Sequence, residues 1–67
     1  MIEIAARNGN GSFFLNFAEI ESILEGEGDT SEIVMISDRR YFSIWSKEKV
    51  AGKINQFIFE LDSNHAN

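Results

Sequence analysis

Two consecutive Asn-Gly pairs, Asn8-Gly9-Asn10-Gly11, stand between two stretches whose apolar residues recur at every second position. Asn-Gly tolerates the positive φ angles of a tight reversal, so the pattern predicts strand, turn, strand. Ile2, Ile4 and Ala6 share a face of the first strand, and Phe13, Leu15 and Phe17 share a face of the second.

This hairpin opens a chain of 67 residues with no cysteine and no proline. A domain of that size buries about 60% of its unfolded surface, and once the core is made little chain is left to build a catalytic cleft. Without thiols, a disulfide framework, thiolate metal sites and a cysteine nucleophile are excluded, and cohesion must come from packing. No apolar run approaches the roughly 18 residues of a membrane span. Met1-Ile2-Glu3-Ile4 has neither the basic nor the apolar segment of a secretory leader. A cytoplasmic protein, cellular or phage-encoded, is expected.

Further along, Asn16 can cap a helical turn, with Glu19 three residues on and a helix-spaced stripe of Phe17, Ile20 and Leu24. The same residues also alternate as a strand, Ile20, Ser22 and Leu24 on one side and Glu21, Ile23 and Glu25 on the other. A brief turn over Asn16–Glu19 leading into a strand over Ile20–Leu24 is preferred, because Glu25-Gly26-Glu27-Gly28-Asp29 suits a connection between antiparallel strands. Glu32–Ile36 and Tyr41–Trp45, broken by Ser37-Asp38-Arg39-Arg40, predict a second hairpin. Ser43 is polar, so Phe42 and Ile44 are expected to point inward, with Tyr41 and Trp45 partly exposed or packed against the helix.

Ser46 is a good N-cap, and Val50, Ile54, Phe57, Ile58 and Leu61 then recur at helical spacing over about 15 residues. Gly52 weakens this helix by roughly 1 kcal/mol relative to alanine. Phe59 lies about 180° around the wheel from Val50. Either the helix ends near Asn55 and the chain turns extended over Gln56–Leu61, or Phe59 is left exposed. The reading is one α+β domain over residues 1–61, with a polar flexible tail over 62–67. Its fold is a small antiparallel sheet of two hairpins plus an intervening strand, with one C-terminal amphipathic helix packed on it.

Net charge is −5 and unevenly spread. Residues 1–32 hold seven acids against Arg7 alone, whereas residues 33–67 are close to balanced. From Glu19 through Glu21, Glu25, Glu27 and Asp29 to Glu32 there is no base. Direct binding to nucleic-acid phosphate is therefore not expected of that surface. Such a strip keeps a small protein soluble, and it can also imitate the phosphate line of DNA or dock on a basic partner.

Catalytic chemistry has few candidates. His65 is the only histidine and falls in the tail, and Ser12, Ser22 and Ser43 have no base at a recognisable spacing. Glu25, Glu27 and Asp29 alternate like the start of a calcium loop, yet Ile36 stands where such a loop needs its bidentate glutamate. The glycine pairs lack the third glycine of a phosphate cradle. Neither catalysis, a metal nor a cofactor is expected. Arg39-Arg40-Tyr41 at the second hairpin tip, Trp45 at a strand end and Phe59 on the helix are residue types that anchor protein interfaces. Together with Glu19, Glu21, Glu25, Glu27 and Asp29 they form the candidate partner-binding set.

In order of segments the chain resembles the short FlbD-type flagellar proteins, which include swarming motility proteins. The residues that carry the resemblance are Met1-Ile2, Asn8-Gly9, Phe14-Leu15-Asn16, Ile20-Glu21-Ser22-Ile23, Asp29-Thr30, Ile33 to Ile36, Tyr41 and Ser46 through Ile58. Ser37-Asp38 stands where that family tends to have Asn-Gly, and Asn10-Gly11 lengthens the first turn. The resemblance implies a non-enzymatic accessory of motility. A looser similarity, to LytTR-type DNA-binding domains, conflicts with the acidity of the segment that would face DNA. Glu21-Ser22-Ile23-Leu24 is similar to the edge-strand motif of phage inhibitors of uracil-DNA glycosylase, which imitate DNA. The expectation is thus a small non-catalytic adaptor or regulator that binds another protein, with a phage-type DNA mimic as the alternative. Homodimerisation through a sheet edge or Phe59 is a third expectation, since so small a core gains from a second copy.

Overall fold

The Asn-Gly segment does reverse the chain. In the computed structural model, which describes residues 1–65 and the side chains of residues 1–62, β1 (Ile2–Ala5) pairs antiparallel with β2 (Ser12–Leu15), Ile2 opposite Leu15 and Ala5 opposite Ser12. The reversal is a loop rather than a two-residue turn. The Ala6 N–H donates to Gly11 O, and the Asn8 side-chain oxygen accepts the Asn10 N–H at 2.9 Å. Gly9 supplies the one positive φ here, +74°, which a residue with a Cβ adopts only under strain.

Asn16 caps a single 3₁₀ turn, Phe17–Glu19, its side-chain oxygen accepting the Ala18 N–H at 3.1 Å. The chain leaves this turn extended, and β3 (Ile20–Glu25) is a strand, the preferred of the two sequence readings. Its alternation differs from the expected one. The register shifts between Ile20 and Ser22, and this irregularity lets Ile20 and Ile23 both pack on the core while Leu24 stays 42% exposed. β4 (Ser31–Met35) returns along β3, and β5 (Arg40–Ser43) returns along β4. In the β4–β5 turn Asp38 takes a φ of +74°, the left-handed position that closes such turns.

β5 corrects the sequence reading. Phe42 and Ile44 face outward, each 46% exposed, while Ser43 is fully buried. The Ser43 hydroxyl donates to Ala5 O at 2.7 Å and accepts the Trp45 N–H at 3.0 Å. Ser31, also buried, donates to Trp45 O at 2.9 Å. A buried hydroxyl with satisfied partners costs little, so polarity alone did not decide which face turned in. Tyr41 and Trp45 are half-buried against the core, within the expected range.

The helix α1 (Lys47–His65) starts where Ser46 caps it, the Ser46 hydroxyl accepting the Lys49 N–H at 3.1 Å. It neither stops near Asn55 nor turns extended, and Phe59 sits on it 71% exposed. The helical backbone continues past Leu61, the residue at which the domain was read to end, to His65. Residues 66 and 67, with the side chains from Ser63 on, lie outside the described residues.

The result is an α+β arrangement of small antiparallel sheets with one C-terminal helix packed on them. The strands divide into a two-stranded sheet, β1–β2, and a three-stranded one, β3–β4–β5. A bridge between Ala6 and Ser43, reinforced by the Arg7 N–H to Phe42 O at 2.9 Å, ties β1 to β5. Ile2, Ile4, Leu15, Ile33, Met35 and Val50 form the buried centre, with Phe13, Phe17, Ile54 and Phe57 packed around it. The Phe17 and Phe57 rings meet edge to face at 5.3 Å, pinning the helix over the 3₁₀ turn. No helix among the described residues is long and apolar enough to cross a membrane.

Candidate functional site

β2 and β3 stand at the ends of their sheets, each with one edge that pairs with no other strand. Beside β2 the surface is concave. Tyr41, on the inner face of β5, reaches toward β2 and stacks against Phe13, ring centres 5.1 Å apart. On one side of that pair lies an open groove of about 610 Å³ lined by Arg7, Phe13, Arg40, Tyr41 and Phe42 among others. A smaller hollow of about 280 Å³, lined by Phe14, Leu15, Asn16, Glu19, Arg39 and Tyr41 among others, adjoins Tyr41 as well. Tyr41 therefore borders both concavities.

The electrostatics of this groove follow from which arginine is already engaged. Arg40 binds Glu32 through a 2.6 Å contact across the β4–β5 pair. The hydrogen bond to Glu32, followed by its charge, pushes the Arg40 guanidinium above its ordinary pKa. Arg7 instead lies over the Phe42 ring, 5.5 Å from its centre, and Arg39 is exposed in the turn. Among the described residues the Arg40–Glu32 contact is the one ion pair, which leaves Arg7 in the groove and Arg39 in the adjoining hollow as spare cations.

The predicted partner-binding residues do not converge on one place. Tyr41 and Arg40 line the groove, while Arg39 and Glu19 line the adjoining hollow. Glu21 and Glu25 are exposed on the edge strand β3, and Glu27 and Asp29 are exposed in the connection that follows. Trp45 is half-buried between β5 and the helix, with the Lys49 ammonium 4.9 Å from its ring centre, and it serves the fold. Phe59 lies on the outer face of α1. Sequence reasoning passed over Arg7, Phe13 and Phe42. One signal was available, since Arg7 is the sole cation of the first 32 residues.

Among the described residues no group of three or more histidine, cysteine, aspartate or glutamate side chains is arranged to hold a metal ion. No protein-family model, curated protein or solved structure matches this chain.

Proposed function

We propose that this chain is a small non-catalytic adaptor or regulator that holds a segment of another protein, in a motility setting if the FlbD resemblance extends to role. The observation that carries the reading is the groove beside β2. Its floor is the Phe13–Tyr41 stack, its rim carries Arg7 over Phe42, and β2, which supplies Phe13, has one edge unpaired. Arginine and aromatic side chains gathered in a partly desolvated hollow are the composition of binding hot spots. An open strand edge adds main-chain hydrogen bonds for an extended segment. The chemistry favours a partner segment with an aromatic or branched side chain for the floor and a carboxylate for Arg7.

Selection from a library of displayed random peptides tests this. Wild-type protein is expected to enrich acidic-aromatic segments, and Arg7→Glu or Phe42→Ser, both at exposed positions, to reduce their binding about tenfold or more. Enriched peptides that bind the variants as tightly as wild type would remove the groove from the proposal.

A second reading is supported by β3. Glu21-Ser22-Ile23-Leu24 lies on an open edge strand, and Glu21, Glu25, Glu27 and Asp29 are exposed and free of ion pairs among the described residues. That is the layout of a DNA mimic aimed at a nucleic-acid-binding enzyme. Added to a uracil-DNA glycosylase reaction, a mimic inhibits at low salt, loses potency steeply as ionic strength rises, and fails when Glu21 and Glu25 are both changed to lysine. Absence of inhibition at low salt sinks this alternative for that enzyme.

A further inference from the structure

Among the described residues β2 and β3 each leave one edge unpaired, but only one of the two edges is guarded. Native proteins blunt an open strand edge with charge, with a bulge or with a covering element. β3 carries Glu21 and Glu25, both exposed, and its register shifts between Ile20 and Ser22. β2 lacks all three devices. Gly11 to Asn16 bears no charge, the register of β2 with β1 is unbroken, and α1 packs chiefly on β1, β3 and β4. Glu3, opposite Phe14, lies one strand further in and accepts the Ser12 hydroxyl at 2.6 Å.

The hydrogen-bond phase of the first hairpin fixes what this edge offers. The Ala6 N–H donates to Gly11 O, while the Arg7 N–H points the other way, to Phe42 O of β5. Antiparallel pairs alternate, so Phe13 and Leu15 direct their main-chain groups at β1, and those of Ser12 and Phe14 face outward. Phe14 is also 61% exposed. The edge therefore combines free donors and acceptors with an uncovered ring at its middle.

We propose that two copies of this chain join edge to edge through β2, antiparallel about a twofold axis at Phe14, into one continuous sheet. The sequence of the edge selects a second copy as the occupant. Ser12-Phe13-Phe14-Leu15-Asn16 has the same pattern in both directions, polar, apolar, aromatic, apolar, polar. A twofold axis at Phe14 makes the two Phe14 residues exchange their N–H and C=O groups and sets their rings side by side. Ser12 of each copy then stands opposite Asn16 of the other, Phe13 stands opposite Leu15, and no charge is opposed. β3 paired with itself about Ile23 would instead set Glu21 against Glu25. A contact of two such short strands falls below the roughly 1,200 Å² of a standard interface, so the dimer is weak and concentration-dependent. The second copy takes the main-chain groups that an extended partner segment would use, so the two exclude one another on β2, whereas Arg7 and Phe42 stay with the groove.

Sedimentation equilibrium and amide hydrogen exchange, followed together across a wide concentration range, test the proposal on the intact chain. Mass is expected to rise from one copy to two and stop there. Over the same range the Phe14 N–H should gain protection, whereas the Phe13 N–H, already bonded to β1, gains less. Phe14→Lys should move the rise in mass to concentrations about tenfold higher or more while far-ultraviolet circular dichroism stays native. Within the chain the substituted position faces Glu3, but across the axis it faces itself. Phe14→Glu should weaken association in the same way, and a mixture of the two variants should associate at least as tightly as wild type. Monomer mass at every concentration, a Phe14 N–H whose exchange ignores concentration, or self-association that ignores Phe14→Lys overturns the proposal. Mass that climbs past two copies overturns the closed dimer in favour of β2 pairing with β3 of the next copy. A mixture of the variants that stays monomeric overturns the register about Phe14.

Discussion

β1 and β5 touch at the Ala6–Ser43 bridge, yet they sort their side chains by opposite criteria. β1 turns Ile2 and Ile4 fully inward and its charged Glu3 outward. β5 and the residue that follows it turn a serine inward and leave Phe42 and Ile44 half in solvent. The difference teaches that local hydrophobicity governs a strand only where its neighbours offer no polar partners. Ala5 O and the Trp45 N–H converge on the Ser43 hydroxyl, and the Trp45 O receives the Ser31 hydroxyl. Together these bonds tie β1, β4 and β5 to the start of the helix.

Paired truncations of isoleucine offer the largest test of that contrast. Ile4→Ala removes a fully buried side chain from the centre of the core and should cost about 2–5 kcal/mol. Ile44→Ala, at a residue 46% exposed, should cost less than about 1 kcal/mol. Urea denaturation of both variants measures the two values on one scale. Equal losses would mean that the outer face of β5 is covered in solution, and the contrast would dissolve.

A smaller effect is expected where the serine sits. Ser43→Ala leaves Ala5 O and the Trp45 N–H without their side-chain partner in a buried setting, a loss of about 1–3 kcal/mol. Ser37→Ala, in the exposed β4–β5 turn, serves as the reference and should fall within about 0.5 kcal/mol of wild type. If Ser43→Ala matches that reference, burial of the hydroxyl is incidental and the sequence-based expectation for β5 needs another explanation.

Much of the fold was legible because it follows from local signals. Asn16 and Ser46 cap as their side chains dictate, and the helical stripe from Val50 to Phe57 packs as its spacing requires. What escaped depended on residues far apart in the chain. The inward turn of Ser43 rests on Ala5, thirty-eight residues away, and the inward turn of Ile23 rests on a register shift opposite β4. The candidate groove has the same character. Tyr41 and Arg40 were visible as interface types, but their grouping with Arg7 and Phe13 exists only once β5 crosses beside the first hairpin. Asp38 lies between these cases, because a residue with φ of +74° was legible as a turn but not as a substitute for glycine.

The smallest effect concerns the outer face of β5, where Arg40, opposite Val34, reaches diagonally to Glu32 on β4. Arg40 is half exposed, so solvent screens the pair despite its 2.6 Å contact, and a double-mutant cycle with Arg40→Gln and Glu32→Gln should give a small coupling that weakens further as salt is added. The pH behaviour follows from the sign of the Arg40 shift. The hydrogen bond to Glu32 and its charge raise the guanidinium pKa above its ordinary value, so the contribution of the pair to stability is complete below the unfolded-state pKa and is lost only as pH rises through the still higher folded one. Between neutral pH and the onset of alkaline unfolding, Arg40→Gln and wild type should therefore differ by a constant amount, as followed by urea denaturation at successive pH values. A difference that changes across that interval, or a coupling that resists added salt, would place this pair in a shielded environment. The outer face of β5 would then belong with the interior, and the open rim on which Arg7 and Phe42 offer a partner its footing would be smaller than its exposure suggests.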